Sequence, residues 1–338
     1  MNSCLEGNLP FVMYRKPMEQ EVVGIFQADD KLHKTMDFEE RGFVFAPFNL
    51  SEGSILIRPD EIFTSTFDVG KGLERKEPNV PDLGKEEHIG LVAKGIAQIQ
   101  SGNLRKVVLS RKMEVEVEAS HPQIFKNLVR HYPNAFCYLF HHPKVGTWCG
   151  ATPETLVRVK NNKLQTMSLA ATLPFKADER PQWGQKEIEE QKMVSEYIGQ
   201  RLEDIVDVLH IGKAESIRAG NLWHLKSEVN GTLSSETGIK EVITALHPTP
   251  AVCGIPYQEA KDFIDTHENY HRSFYTGFLG ELNLHSNREI SLFVNLRCME
   301  LNGDKASIFV GGGITSASHP ESEWIETQNK SKTMLNIL

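Results

Sequence analysis

Between Leu104 and Glu118 apolar and polar side chains alternate. Val107, Leu109, Met113, Val115 and Val117 fall on one face of a long strand, and Lys106, Val108 and Ser110 on the other. Further strands are predicted at 135–141, 146–150, 154–160 and 163–170, with only turn signals between them. A parallel pair needs a crossover of a dozen or more residues, so this spacing predicts antiparallel sheet and argues against βαβ units. Strand-like patterns return at 225–233, 277–284, 290–300 and 306–310, and helical spacing appears at 87–101, 185–209, 238–246, 257–272 and 320–337. In the 185–209 segment Val194, Ile198, Leu202, Ile205 and Leu209 make one apolar stripe, which Glu187 and Glu190 continue at its N-terminal end. Acidic residues in a first helical turn are also what the helix dipole favours. The fold class is α+β.

The chain has 338 residues, 40% hydrophobic and 24% charged, ample for a core. This length admits two domains or one large one. Residues 71–87 are charged and contain Pro78 and Pro81, so they read as a surface loop or a linker. Net charge is −8 with no Lys/Arg-rich run, which excludes a nucleic-acid-binding face and means that an anionic substrate would need local positive charge. No apolar run approaches the length of a membrane-spanning helix, and the start lacks the pattern of a signal peptide. The five cysteines show no C-x-x-C spacing and suggest reduced, mostly buried thiols of a cytoplasmic protein.

Near the C-terminus, the strand at 306–310 runs into Gly311, Gly312 and Gly313, and after a turn a helix carries Glu323, Glu326 and Lys330 on one face. Glycine lets the backbone come close to a ligand with its N–H groups facing an anion, and paired carboxylates suit a hard cation such as Mg²⁺. A tight turn before a solvated helix would look the same in isolation. His267-Glu268-Asn-Tyr-His271 matches H-E-x-x-H, whose two histidines could hold zinc on a helix, but no third ligand follows at the extended spacing.

Other polar clusters occur in Arg105-Lys106-Val-Val-Leu-Ser-Arg111, Gly150-Ala-Thr-Pro-Glu154-Thr-Leu156, Ser168-Leu-Ala-Ala-Thr172, Lys186-Glu187-Ile-Glu-Glu190, Leu222-Trp-His224-Leu225, His247-Pro-Thr-Pro-Ala-Val-Cys-Gly254 and Asn295-Leu-Arg297-Cys298. In this order and spacing, with the glycine segment, they resemble the chorismate-utilising enzymes: isochorismate synthase, salicylate synthase, the large component of anthranilate synthase and aminodeoxychorismate synthase. The resemblance covers roughly 87–338, and 1–86 more faintly. It implies one chorismate-binding domain over 1–338, built of two largely antiparallel β-sheets flanked by helices, with the site in a cleft between them.

The resemblance also implies roles. Lys106 matches the general base; a free lysine, with a pKa near ~10.4, would need burial or a cationic neighbour for that task. Glu154 matches the general acid, which desolvation should keep protonated. Glu190 and Glu323 match Mg²⁺ ligands, with Glu187 and Glu326 as auxiliary positions. Arg297, which alternates opposite the apolar set Leu292, Val294, Leu296 and Cys298, matches the residue that grips the pyruvyl carboxylate. Gly311, Gly312, Gly313 and Lys330 would add to that grip. Ala171 and Thr172 fall in the substrate-binding segment, and His224 matches a histidine near the ring carboxylate. Glu268, Arg272, Tyr275 and Gly277 match a family pattern without a metal role, and His267 and His271 fall on variable positions within it.

Alanine stands where aminodeoxychorismate synthases carry a nucleophilic lysine. Lys106 stands where anthranilate synthases typically carry glutamine, which favours water as nucleophile. The implied activity is therefore Mg²⁺-dependent isochorismate synthesis: water adds to C2 of chorismate as the C4 hydroxyl leaves. Salicylate synthase is the alternative within the family, and a zinc hydrolase built on His267 and His271 the remote one. The substrate is a small molecule, with no nucleic acid, membrane or glutamine amidotransferase partner expected and a monomer as the assembly entertained. The product would feed menaquinone or siderophore biosynthesis. Ala171 departs from the glycine usual in that segment, and its methyl would matter if the backbone there needs a positive φ.

Overall fold

The computed structural model describes residues 2–67, 78–175, 180–219 and 222–338, so positions 71–77 of the expected loop lie outside the described residues. Alternation is realised as two large sheets in which every pairing is antiparallel. The first runs, in spatial order, Gly254–Ile255, Lys106–Glu116, Lys305–Ile314, Cys298–Asn302, Gly146–Thr152, Phe136–His142, Phe11–Arg15, Glu21–Phe26 and Glu61–Thr66. The second runs Val206–Ile211, Leu222–Leu233, Lys163–Pro174, Thr155–Lys160, Ile290–Val294, Phe278–Leu282, Gly42–Ala46, Ser54–Ile57 and His33–Thr35, with Glu215–Ala219 also paired to Leu222–Leu233. Residues before 87 thus extend both sheets.

The facing sides of the sheets bury an aromatic core that includes Phe43, Phe45, Phe136, Tyr138, Phe140, Trp148 and Phe293. Fully burying one such side chain stabilises by about 1.5–3 kcal/mol. Helices cover the outer faces. Gln185–Leu202 and Ile239–Leu246 pack on the second sheet through Val194, Ile198, Val242 and Ile243. Lys85–Gln100 and Tyr257–His267 bring Val92, Ile99, Ala260 and Phe263 against Val107 and Leu109. The apolar face of the alternating strand therefore goes to helices, which turns Lys106 and Val108 inward.

The chain passes from one sheet to the other in steps of two or three residues at three places, two of which lie side by side. Pro153-Glu154 links Gly146–Thr152 to Thr155–Lys160, and Asn295-Leu296-Arg297 links Ile290–Val294 to Cys298–Asn302. The two crossovers are stitched together: Ala151 N–H donates to Arg297 O at 3.0 Å, and Val294 N–H donates to Glu154 O at 3.0 Å. Tyr138 Oη donates to Asn295 Oδ1 at 2.6 Å from the core side. Opposed crossovers between twisted sheets leave a cleft, and Glu154 and Arg297 stand together at its edge.

Several expected boundaries are corrected. The 185–209 helix ends at Leu202, and Val206–Ile211 is an edge strand paired with Leu222–Leu233. The run of Ile205, Val206, Val208 and Leu209 is as compatible with a strand as with a helix, and a free sheet edge decided it. The 257–272 helix stops at His267, because Glu268 is extended (φ −71°, ψ 138°). The 290–300 strand is two strands in different sheets, broken at Arg297, whose φ is +48°. Arg297 therefore sits at a link, not on the alternating face expected for it. The three glycines do not follow a strand but lie within one, Lys305–Ile314, where Gly311 to Gly313 pair with Ser110 to Val108. The five cysteines are free, and all but Cys4 are buried.

Candidate active site

Lys106 is fully buried, with Nζ 2.9 Å from Glu190 Oε1. Burial is the condition the sequence set for this lysine; its close neighbour, however, is a carboxylate rather than a second cation. Glu190 reaches it from the helix Gln185–Leu202, whose N-terminus stands at the mouth of the cleft. Facing them from the helix Pro320–Leu335 are Glu323, 2.6 Å from Lys186 Nζ, and Glu326, 2.6 Å from Lys330 Nζ. Each of the three carboxylates is thus held by its own lysine. Lys186 was not singled out from the sequence, although it precedes Glu190 by one helical turn on the same face.

Gly312 and Gly313 are the floor of this carboxylate cluster. A methyl on Gly313 would lie 2.2 Å from Glu190 Oε1, and one on Gly312 would lie 3.2 Å from Glu323 Oε2 and 3.4 Å from Glu326 Oε1. Burial and the Glu326 carboxylate raise the pKa of Glu323 against the pull of Lys186. Burial also acts to raise Glu326, but Lys330 and Lys186 outweigh it and hold that carboxyl below its ordinary value. Glu323 Oε2 is buried and has no hydrogen-bond partner among the described residues. Among the described residues no three carboxylates come close enough together to hold a metal ion, each being drawn to its own lysine, but the orphaned Glu323 Oε2 and the Glu190 and Glu326 oxygens over the same glycines are the donor type a hard divalent cation takes. Glu187 is more peripheral: its Oε2 accepts from Gly184 N–H at 3.0 Å, while the side chain lines an outer cavity with Glu323 and Glu326.

Deeper in, one cavity is lined by Glu154, Ala171, Thr172, His224, Arg297, Gly311 to Gly313, Glu326 and Lys330. Desolvation pushes the Glu154 carboxyl up to about 8, despite the opposing charges of Lys106, Lys330 and Arg297. A carboxyl that stays protonated at neutral pH is equipped to donate a proton. The Arg297 guanidinium makes no hydrogen bond or ion pair with the described residues, and desolvation lowers its pKa from the ordinary arginine value. A half-buried guanidinium without a carboxylate partner leaves its donors for a ligand. Lys330 Nζ also donates to Gly311 O at 2.8 Å. N–H and C=O of one strand residue point the same way, so Gly311 N–H faces this open side too. Ser110, opposite Gly311, turns its own N–H away to Glu268 Oε1 at 2.8 Å.

Ala171 has a left-handed φ of +63° at a bulge where the register between Lys163–Pro174 and Leu222–Leu233 shifts. Its carbonyl meets His224 Nδ1 at 2.9 Å, and Thr172 Oγ1 lies 3.4 Å from the same nitrogen. Tyr275, which the sequence placed only in a pattern without a metal role, lines the cavity. Its hydroxyl lies 3.0 Å from where a methyl on Gly311 would be. No local signal marks it, because its neighbours come from other strands.

The H-E-x-x-H match does not form a zinc site. His267 ends its helix, bonds Phe263 O at 3.0 Å through Nδ1 and stacks on Phe263, while His271 Nε2 points to Glu52 at 3.1 Å. Glu268 pairs with Arg272 at 2.6 Å, both buried, and Arg272 donates to Val108 O and Val252 O. The motif thus braces the wall of the cleft.

Residues 69–338 match the family model described as chorismate binding enzyme. The chain belongs to the chorismate binding enzyme family. It is 29% identical over 273 residues to anthranilate synthase component 1 of Thermococcus kodakarensis, covering 76% of this chain and 61% of that protein. It is 30% identical over 260 residues to the isochorismate synthase EntC of Escherichia coli K12, covering 73% of this chain and 66% of that protein. The chain therefore spans somewhat under two thirds of the length of these relatives. Among solved structures, a putative 2,3-dihydroxybenzoate-specific isochorismate synthase, DhbC from Bacillus anthracis, superposes with a TM-score of 0.84 at 26% identity, over 99% of this chain and 98% of that one. Enzymes of this family are metal-dependent. No helix among the described residues is long and apolar enough to cross a membrane.

Proposed function

We propose that this chorismate binding enzyme is an isochorismate synthase, converting chorismate to isochorismate. The observation that carries the reading is the pair of proton-transfer groups on one cleft: a buried lysine, Lys106, and a carboxyl held protonated, Glu154. Lys106 Nζ takes a proton from a water that attacks C2. The ring double bond shifts, and Glu154 gives its proton to the departing C4 hydroxyl, so one water enters and one leaves. Each turnover leaves a proton on Lys106 and removes one from Glu154, and a net transfer between them restores the start. Arg297, with Gly311 N–H and Lys330, grips the pyruvyl carboxylate and fixes the ring in line with both groups.

Glu190 and Glu323 would hold Mg²⁺, with Glu326 and Glu187 beside them, and the ion would neutralise the ring carboxylate. The lysines beside these carboxylates, with Arg297, supply the positive charge that an acidic protein needs to receive a dianion. This chain would act alone, without an amidotransferase partner.

The test is product identification after incubation with chorismate and Mg²⁺ in ¹⁸O-labelled water, with and without ammonia. Isochorismate carrying one ¹⁸O supports the reading. Salicylate with pyruvate, or an aminated ring, would assign another activity of the family.

A further inference from the structure

Arg111 closes the polar segment that begins with Arg105 and Lys106, yet the proposed reaction gives it no part. It lies on the strand Lys106–Glu116 and is 7% exposed. Lys106 and Arg111 are five positions apart, so their side chains leave opposite faces of the strand. Lys106 turns into the cleft. Arg111 turns outward, onto the face of Val107, Leu109 and Met113, where the helices pack. A guanidinium buried on an apolar face has lost its water and needs other acceptors.

It finds them on the helix Pro320–Leu335. Nε donates to Thr327 Oγ1 at 2.9 Å and Nη2 to Gln328 Oε1 at 2.8 Å, and the guanidinium lies over the Trp324 ring, 4.2 Å from its centroid. Thr327 Oγ1 gives its own proton to Trp324 O at 2.8 Å, which leaves it only lone pairs for Arg111. Gln328 Nε2 in turn donates to Asp82 Oδ1 at 2.9 Å, just ahead of the helix Lys85–Gln100.

The helix has need of such an anchor. It brings Glu323, Glu326 and Lys330 to the site, but the strand residue beneath the two carboxylates is Gly312. Between Trp324 and Met334 its buried residues are Thr327 and Ser331. Glycine and small side chains permit close approach, but they supply few ridges to hold a helix along its axis. The planar fork of an arginine can do so, because it holds two successive residues of one helical turn at set distances.

We infer that Arg111 is a positioning residue: it locks the helix that carries Glu323 and Glu326 to the strand that carries Lys106, and so sets where those carboxylates stand relative to that lysine. The inference rests on the proposed function for what this placement serves, but not for the lock itself.

Amide hydrogen exchange of the metal-free protein reads the lock. Arg111→Met fills a similar volume without donors. Exchange within residues 323–331 should then quicken by about tenfold or more, while the strands Lys106–Glu116 and Lys305–Ile314 stay as in the wild type. Wild-type exchange in that helix would overturn the inference.

Mg²⁺ calorimetry separates positioning from packing. Affinity should fall about 10–100-fold in Arg111→Met, the scale for a disturbed ligand support, and stay low in Arg111→Lys, which keeps the charge and loses the fork. A cooperative unfolding transition establishes that each variant is folded. Wild-type affinity in folded Arg111→Met would leave only a packing role and overturn the inference. Thr327→Val removes the acceptor and keeps the shape. It should weaken Mg²⁺ binding in the same direction, and adding it to Arg111→Met should bring no further loss. Additive losses would count against a shared lock. If Arg111→Met does not fold, Thr327→Val takes its place in both measurements. Absence of isochorismate or of Mg²⁺ binding in the wild type would count against the proposed function alone, and hydrogen exchange would still decide the inference.

Discussion

Replacing Gly313 by alanine probes the geometry of the cleft without removing any charged group. None of Gly311, Gly312 and Gly313 has a left-handed φ, so an added methyl is tested for space and not for backbone strain. At Gly313 the methyl would sit 2.2 Å from Glu190 Oε1 and 3.0 Å from both Glu190 Cδ and Lys106 Cε. Ordinary van der Waals contact starts at about 3.4 Å, so the carboxylate must retreat by roughly 1.2 Å. Both partners of the 2.9 Å ion pair are buried, and Glu190 can retreat only into the cavity it lines. Breaking a buried pair by removing one partner costs about 3–5 kcal/mol. Displacement instead of removal places Gly313→Ala at the low end, on the order of 2–3 kcal/mol. Glu190 would also leave the cation position, with a loss of about 10–100-fold in metal affinity, the scale seen when a ligand's support is disturbed. At Gly312 the nearest oxygens are at 3.2 and 3.4 Å, which a few tenths of an ångström would relieve. The reduced freedom of the unfolded chain offsets this by about 0.4–1 kcal/mol, so Gly312→Ala should be near neutral. Denaturant unfolding, Mg²⁺ calorimetry and steady-state kinetics on both variants make the comparison. Wild-type Mg²⁺ affinity and turnover in Gly313→Ala would refute the placement of Glu190 over this glycine.

Lys106→Ala and Glu154→Gln should each nearly abolish hydration while leaving the circular dichroism spectrum unchanged; near-normal turnover in either would remove that residue from its role. Glu154 is raised to about 8, so its acidic form dominates below that pH and is lost above it; kcat/KM should fall as pH rises through about 8. A flat profile to pH 9 would mean that this carboxyl is not the proton donor. Arg297→Lys keeps the charge but not the planar fork, and should raise KM for chorismate about tenfold or more; an unchanged KM would show that no bidentate grip exists. Ala171→Gly relieves a left-handed alanine, a strain of about 1 kcal/mol, against a similar gain in unfolded-state freedom. Stability should therefore change by less than about 1 kcal/mol with turnover at least maintained, as thermal unfolding and initial rates would report.

Local pattern carried the elements with one dominant period. The alternation of Val107, Leu109 and Met113 could be satisfied only by a strand, and Val194, Ile198 and Leu202 only by a helix. It failed where a segment satisfied two periods or none. Ile205 to Leu209 suit either structure, and the open edge beside Leu222–Leu233 claimed them. The alternation through Arg297 was genuine in sequence but spans a crossover at which the chain changes sheets. For the site, the ordered motifs named Lys106, Glu154, Glu190, Glu323, Arg297 and Lys330; the structure lines one cavity with Glu154, Glu190, Arg297 and Lys330, buries Lys106 against Glu190 and sets Glu323 in the adjoining cavity. They gave no role to Lys186 or Tyr275, because each acquires its position from a partner distant in the chain, as Lys186 does from Glu323.

By itself the sequence determined an antiparallel α+β fold and the chemical types that could meet in it: hard oxygen ligands, buried cations and a glycine floor. Both follow from residue identity and short-range spacing, which any window of a dozen residues contains. Only the tertiary structure decided that each cleft carboxylate is held by a particular lysine, that Glu154 is desolvated enough to keep its proton, and that Ala171 turns left-handed and sets its carbonyl against His224. Those properties depend on distances between segments up to about two hundred residues apart, and on a low-dielectric cleft that forms only when two crossovers lock the sheets together.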